Sequence, residues 1–351
     1  MKKKIRIGII GCGRVAEHYY DILKKVNKSL YEIVSVCDTK KNKAKKFAAK
    51  FKSKFYTSHK DMISKESLDL IFVLTPSGNH YEIVKYIIMN KINVLCEKPL
   101  TLLPNETKVL SKLAKNKRVM LCVAFQNRLN PAVKFLKKCI DEKKFGKIVK
   151  ASVSLLWCRY QNYYNDEWHG TWKMDGGVIN QQAIHYIDIL RWLFGPVKEV
   201  FCYMDNRINR LEAEDTAVAS LKFKNGALGT IEATTAARPM DIHASLSLVG
   251  SKGTIVLGGL ALNKITRIIG LNNSSNLIKK YSQNIKNGYG ISHFSLIKKI
   301  LKNLSKNIIT PPVDAAESYK TTQLIHAMYS SHELNKPIII SDKVKSKKLG
   351  K

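Results

Sequence analysis

An almost uninterrupted apolar stretch at 5–10 is followed by residues whose apolar members recur every three to four positions over 15–26. This is the pattern of a buried strand feeding an amphipathic helix. The succession then repeats. Strand-like runs at 32–37, 69–74, 93–96 and 119–125 alternate with helical spacing at 41–51, 81–90 and 104–116, the last with Pro104 in its first turn. Short strands that are apolar on both faces and separated by helices predict a parallel sheet covered on both sides, here a doubly wound α/β domain over 1–125.

Beyond a helix at 131–142 the period changes to two. Alternation runs through 149–157, 197–204, 217–223, 227–233, 244–249 and 254–257. Asn225-Gly226 between two such runs is a hairpin signal, and 250–253 reads as a second tight turn. Residues 126–340 are therefore expected as an α+β domain on an open, largely antiparallel sheet, with one face left for a substrate or partner. Residues 271–290, rich in Asn, Ser and Lys, read as loop, and 341–351 as a frayed basic tail. No internal repeat is visible.

The length of 351 residues suits two domains, and 45% hydrophobic with 9% aromatic residues argues against disorder. No secretory signal and no run long enough to span a bilayer is readable, so a cytoplasmic protein is expected. Seven scattered cysteines form no C-x-x-C pair and no metal-spaced cluster, which predicts reduced, buried thiols and no metal site. The charge is unusual: 60 Lys and Arg against 27 acids give +33. The lysines are spread over helices and loops with no nucleic-acid-binding motif beside them, so a solvated basic surface is the expectation rather than a nucleic-acid or membrane partner.

Chemistry enters at the strand ends. Gly11-Cys-Gly13-Arg14-Val15-Ala16 is G-x-G-x-x-A directly after the first strand. Gly11 permits the tight turn, Gly13 lets the backbone approach a pyrophosphate, and Ala16 allows close helix–sheet packing. Arg14 and Val15 begin the helix whose free N–H groups would face the phosphates. The second strand ends at Asp38, where a carboxylate binds ribose hydroxyls and repels a ribose phosphate, which favours NAD over NADP despite the nearby Lys40 and Lys41. Thr75 and Pro76 end the third strand and are expected to line the nicotinamide pocket. His80 follows, either at the cofactor or as a helix-start residue with a structural hydrogen bond. Glu97-Lys98-Pro99 closes the next strand at the same edge. A lysine beside a cationic nicotinamide has its ammonium form disfavoured, which suits hydrogen-bond donation and acid–base work.

In the second half, 175–195 reads as one helix carrying Gln181, His185 and Asp188 on a single face. Asn180, Gln181, Gln182 and His185 cluster at its otherwise apolar start, and polar side chains are costly to bury unless a ligand or a network uses them. Arg159, His169 and Lys173 precede it within a loop rich in Trp and Tyr and supply cationic and donor groups for a phosphorylated substrate.

These motifs together resemble the Gfo/Idh/MocA family over nearly the full length. The likeness rests on G-x-G-x-x-A at 11–16, T-P-x-x-x-H at 75–80, E-K-P at 97–99, and G-G followed by His185 at 176–185. Glu214-Asp215-Thr216 and the stretch from Gly290 to His293 resemble the family as well. The resemblance implies a Rossmann domain binding NAD, and Lys98 and His185 in the catalytic positions. It also implies a C-terminal α+β domain that makes dimers or tetramers through its open sheet. The family usually has Asp or Asn four residues before the histidine. Here Gln181 stands there and is expected to hydrogen-bond substrate. The loop at 159–172, N-Q-Q-A-I-H at 180–185 and the strand at 231–235 resemble the members that oxidise the 3-hydroxyl of UDP-N-acetylglucosaminuronic acid for surface polysaccharides such as O-antigen. A dehydrogenase of another sugar, nucleotide sugar or inositol, or a non-catalytic NAD-binding sensor, is the alternative. In-place re-oxidation of NADH by a keto acid is left open by the resemblance, as is the choice of base between Lys98 and His185.

Overall fold

A computed structural model describes residues 4–285 and 287–351 and divides into two compact units. One comprises Met1–Phe125 and His293–Tyr319, the other Gln126–Ser292 and Lys320–Lys351.

In the first unit β1 (Ile5–Ile10), α1 (Arg14–Leu23), β2 (Tyr31–Cys37), α2 (Lys41–Phe51), β3 (Lys54–Tyr56) and α3 (His59–Lys65) are followed by β4 (Leu70–Val73), α4 (His80–Met89), β5 (Asn93–Cys96), α5 (Pro104–Lys117) and β6 (Leu121–Val123). The sheet order is β3-β2-β1-β4-β5-β6, every pair parallel. The central runs of its strands are apolar, as suits a sheet with helices on both faces; Ile7, Ile9, Leu70, Phe72, Val94 and Leu95 are fully buried. The order reverses between β1 and β4, the topological point at which open α/β sheets bind ligands outside the strand C-termini. β3 and α3 escape the apolar pattern: Lys54 and Phe55 are exposed, and the signal for α3 is its cap, where Ser58 Oγ accepts the Asp61 N–H at 3.3 Å.

The second unit runs through α6 (Pro131–Asp141), β7 (Ile148–Leu156), α7 (Val178–Gln181), α8 (Ile184–Phe194), β8 (Val197–Asp205), β9 (Thr216–Phe223), β10 (Leu228–Thr234), β11 (His243–Gly250), β12 (Gly253–Gly258), β13 (Lys264–Ile269) and α9 (Ser274–Tyr281). After it, α10 (Ser292–Leu304) takes the chain back to the first unit. There the Val123 N–H donates to Val313 O at 3.2 Å and Cys122 bridges Asp314, covering the free edge of β6. A contiguous division near 125 misses this return. α11 (Ala315–Leu334) then leads into the second unit, where β14 (Ile338–Ile339) completes a sheet ordered β13-β12-β11-β7-β10-β9-β8-β14. Among the described residues only β7 and β10 of this sheet pair in parallel. One face buries Val153, Leu155, Ile231, Leu246 and Leu248, with α8 lying against β7 and β11. The other leaves Val149, Tyr203, Val218 and Leu228 exposed.

Three expectations need correction. The helix read over 175–195 is two helices. Val178 O accepts both the Gln182 N–H at 3.1 Å and the Ala183 N–H at 2.8 Å, and the second bond spans five residues and widens the turn. The single face of Gln181, His185 and Asp188 is thereby broken, and Asp188 is fully buried in a bidentate pair with Arg128, both bonds 2.6 Å. The loop read at 271–290 contains α9, whose Tyr281 stacks on Phe135 at 4.4 Å; tertiary packing overrides the weak helix propensity of the Asn/Ser run. The tail at 341–351 is pinned rather than frayed, with Ser346 and Leu349 buried.

Candidate active site

Four strand ends of the first unit meet at one edge of its sheet. Gly11 has φ +95°, and a Cβ there would stand 2.6 Å from Leu74 O, so only glycine lets the turn after β1 cross the end of β4. Gly13 caps α1 in extended geometry, and nothing lies within 4 Å of where its Cβ would be. That open ground, with exposed Arg14 and half-buried Val15 opening the helix, is a cradle for an anion. The Asp38 carboxylate is aimed by two backbone donors, Cys12 N–H at 2.9 Å and Lys40 N–H at 2.8 Å. Thr75 and Pro76 are half-buried at the end of β4, and Thr75 Oγ1 is buried with no hydrogen-bond partner among the described residues. A buried hydroxyl that the protein leaves unpartnered at the switch point is available to a polar ligand. The cradle, the aimed carboxylate and this hydroxyl fit a dinucleotide.

His80 is buried at the start of α4. Its Nδ1 lies 2.7 Å from Pro99 O and its Nε2 2.9 Å from Thr75 O, so the ring stands between the β4 and β5 ends, and as a neutral imidazole it donates to one of the two carbonyls. Burial pushes its pKa down, while the two carbonyls oppose that shift.

Glu97 is buried at the end of β5. Its Oε1 accepts the Tyr19 hydroxyl at 2.8 Å and lies 3.6 Å from His293 Nε2. Burial alone would raise the carboxyl pKa, but His293, then Lys98, then the Tyr19 hydroxyl overcome it and hold the group at about 2. His293 Nδ1 in turn lies 3.3 Å from His18 Nε2, and burial followed by His293 lowers His18 to about 4. Lys98, half-buried, follows this anchored carboxylate directly. Periodicity gave no sign of Tyr19 in this cluster; His293 falls in a segment marked only by family resemblance.

In the second unit Gln181 and His185 are half-buried on either side of the widened turn. Asn180 is fully buried, its Nδ2 donating to Asp175 O at 2.5 Å while Oδ1 has no partner among the described residues. Lys173 is exposed. Arg159 donates to Asp241 at 2.8 Å and stacks on Trp157 and Tyr163. His169 is buried, with Nδ1 2.6 Å from Asp166 and its ring against Trp168. Arg159 and His169 are thus each oriented by an acid and an aromatic surface. Arg238, over the Tyr160 ring and donating to Asn209 at 3.2 Å, joins this aromatic loop without any sequence pattern to mark it.

Comparison with known proteins accords with this geometry. Residues 5–125 match the model of the oxidoreductase family with NAD-binding Rossmann fold, and residues 133–256 match the GFO/IDH/MocA C-terminal domain. The WlbA dehydrogenase of Chromobacterium violaceum, solved with NADH and UDP-GlcNAcA, is 31% identical with a TM-score of 0.90 and 97% of each chain covered. That of Bordetella pertussis, solved with the same two molecules, is 30% identical with a TM-score of 0.91, covering 97% of this chain and 99% of that one. A myo-inositol 2-dehydrogenase of Thermotoga maritima is 25% identical over 327 residues, 92% of this chain and 94% of that protein. The chain belongs to the GFO/IDH/MocA oxidoreductase family and is an NAD-dependent dehydrogenase of the kind that acts on sugars and polyols.

Proposed function

We propose that the chain oxidises the C3 hydroxyl of a UDP-linked N-acetylhexosamine uronic acid, a step in making surface-polysaccharide precursors. The observation that carries this reading is the likeness, over 97% of this chain at 30–31% identity, to two WlbA dehydrogenases solved with NADH and UDP-GlcNAcA. NAD, when bound, supplies the hydride acceptor. Gly13 and the start of α1 hold its diphosphate, Asp38 its adenosine ribose, and Thr75 Oγ1 a polar group near the nicotinamide. His185 removes the hydroxyl proton, since an imidazole titrates near neutrality, while Lys98 donates a hydrogen bond to the same oxygen. Glu97, charged at every working pH, keeps an anion beside Lys98. Gln181 reads the sugar; Arg159, His169 and Lys173 serve the diphosphate and carboxylate.

The test is a panel of UDP-N-acetylglucosaminuronic acid, UDP-N-acetylglucosamine, free glucose and myo-inositol, followed by NADH absorbance with and without an added keto acid. Turnover of the uronic acid is expected. The inositol dehydrogenase likeness favours a second reading, a polyol dehydrogenase. Turnover of inositol with none for UDP-sugars would establish it and remove the first. Lys98→Met and His185→Ala should each retain NADH binding and lose about 10²-fold or more in turnover. Near-full activity in either variant removes that residue from the chemistry.

All seven cysteines are free, which fits a reducing compartment such as the cytoplasm. No described helix is long and apolar enough to cross a membrane.

A further inference from the structure

Gly176 and Gly177 lead into α7 at a point where three distant parts of the second unit meet. Gly176 has φ +80°, and a Cβ there would stand 2.9 Å from Leu349 Cδ1 and 3.0 Å from the Tyr329 hydroxyl. On Gly177 it would stand 2.2 Å from the Glu214 carbonyl oxygen and 2.3 Å from Glu214 Oε2. No side chain fits at either position.

Hydrogen bonds tie the same groups together. Tyr329 Oη accepts the Gly177 N–H at 3.0 Å and donates to Glu214 Oε1 at 3.1 Å. Glu214 Oε1 also accepts the Ile179 N–H at 3.0 Å, and Glu214 O accepts the Val178 N–H at 2.9 Å. The first amides of α7 are therefore satisfied from outside the helix. Four residues cannot hold a helix by themselves, so what lies around α7 sets its direction.

Leu349 completes the arrangement, and a run of polar contacts delivers it. The Ser346 N–H donates to His326 Nδ1 at 3.0 Å, its hydroxyl to Glu333 Oε1 at 2.5 Å, and the Lys347 N–H to Glu333 Oε2 at 2.8 Å. The Gly350 N–H then donates to Trp172 O at 2.8 Å, and Lys348 Nζ lies over the Trp172 ring. A basic segment with every mark of a loose end is bonded on both sides of one fully buried leucine.

We propose that Ser346–Gly350 is a positioning element: Leu349, with Tyr329 and Glu214, clamps the Gly176-Gly177 entry to α7 and so places Gln181 and His185 for reaction. The inference rests on the roles proposed above for those two residues. Removing Leu349 opens a space behind Gly176, and the short helix relaxes into it. Small displacements of reacting groups cost large factors in rate, while the dinucleotide site on the first unit is untouched.

The test compares the wild type with Leu349→Ala, Leu349→Met and a chain ending at Lys345. Hydrogen exchange of the 177–183 amides, which needs no substrate, should speed up in Leu349→Ala and in the shortened chain while β9 and β10 stay protected. With whichever sugar the panel shows to be oxidised, kcat should fall about 10- to 100-fold in those two variants at unchanged NADH affinity, and Leu349→Met should restore it. If the shortened chain does not fold, Leu349→Ala and Leu349→Met decide. Unchanged protection of 177–183 overturns the clamp. Lost protection with wild-type kcat and KM leaves Leu349 merely structural and overturns its positioning role. Neither result depends on which sugar is the substrate.

Discussion

A carboxylate buried beside a lysine must be held in its charged form by something, and at Glu97 His293 does most of this. Because its folded pKa of about 2 lies below the ordinary carboxylate value, Glu97 contributes stability above pH ~4.5 that is lost as pH falls toward 2. His18, lowered to about 4, acts in the same direction between pH ~6.5 and 4, where the unfolded chain binds a proton that the folded chain refuses. Glu214 acts oppositely. Burial raises it to about 7, so its contribution is full below pH ~4.5 and lost as pH rises through 7. Urea midpoints of the wild type measured from pH 3 to 8 should therefore fall on the acid side. Glu97→Gln should flatten that limb by an amount on the order of 2–3 kcal/mol, and an unchanged slope would place the acid sensitivity elsewhere. Asp38 is tested through the cofactor. Asp38→Ala should weaken NAD binding by about 1–3 kcal/mol, the scale of charge-assisted hydrogen bonds. Equal wild-type affinity for NADP and NAD would remove the ribose role assigned to this carboxylate.

At the scale of elements, the two glycines of the β1–α1 turn separate folding from binding. Gly11→Ala combines φ +95° with a 2.6 Å approach to Leu74 O and should lower both the thermal midpoint and NADH affinity. Gly13→Ala meets open space and should cost no more than about 1 kcal/mol of stability, yet lose tenfold or more in NADH affinity because the methyl fills the cradle. Equal effects of the two on affinity and stability would contradict the cradle. This turn was legible in advance because the strand, glycines and helix that make it lie within twenty residues. So were β1, β2, β4 and β5, whose apolar runs are buried on both faces, and the β9–β10 hairpin at Asn225-Gly226. What stayed hidden depends on distant partners. β3 has three residues and an exposed pattern, α9 exists through the stacking of Tyr281 on Phe135, and the break between α7 and α8 comes from one carbonyl at Val178 taking two donors. The supports of the site follow the same rule. Tyr19 reaches Glu97 from 78 residues away and Tyr329 reaches Glu214 from 115, separations at which no local pattern survives.

For the whole molecule, the open face of the eight-stranded sheet raises the question of what covers it. Val149, Leu228, Tyr203 and Val218 are each more than half exposed on its β7, β10, β8 and β9 strands, and Phe201 with Leu228 lines a groove across it. A contiguous apolar surface of this kind on a globular domain marks an interaction site. A second copy of the chain suits this surface, since apolar side chains are spread across it among few charges: Lys222 pairs with Glu199 at 2.8 Å, and Lys150 and Glu232 stand on the same face. The formal charge of +33 works against self-association through long-range repulsion, which salt screens beyond ~8 Å at physiological ionic strength. Two consequences are measurable by light scattering after size exclusion. The wild type should run as a dimer or tetramer whose dissociation increases as salt is lowered, because repulsion grows while the apolar contact does not. Leu228→Glu, which removes apolar area and puts a carboxylate opposite Lys150 and Lys222 into that contact, should shift the protein toward monomer at all salt concentrations while keeping NADH affinity, since the cofactor edge belongs to the other unit. A wild-type mass of one chain at high salt, or an unchanged oligomer in Leu228→Glu, would mean that this face serves some other partner.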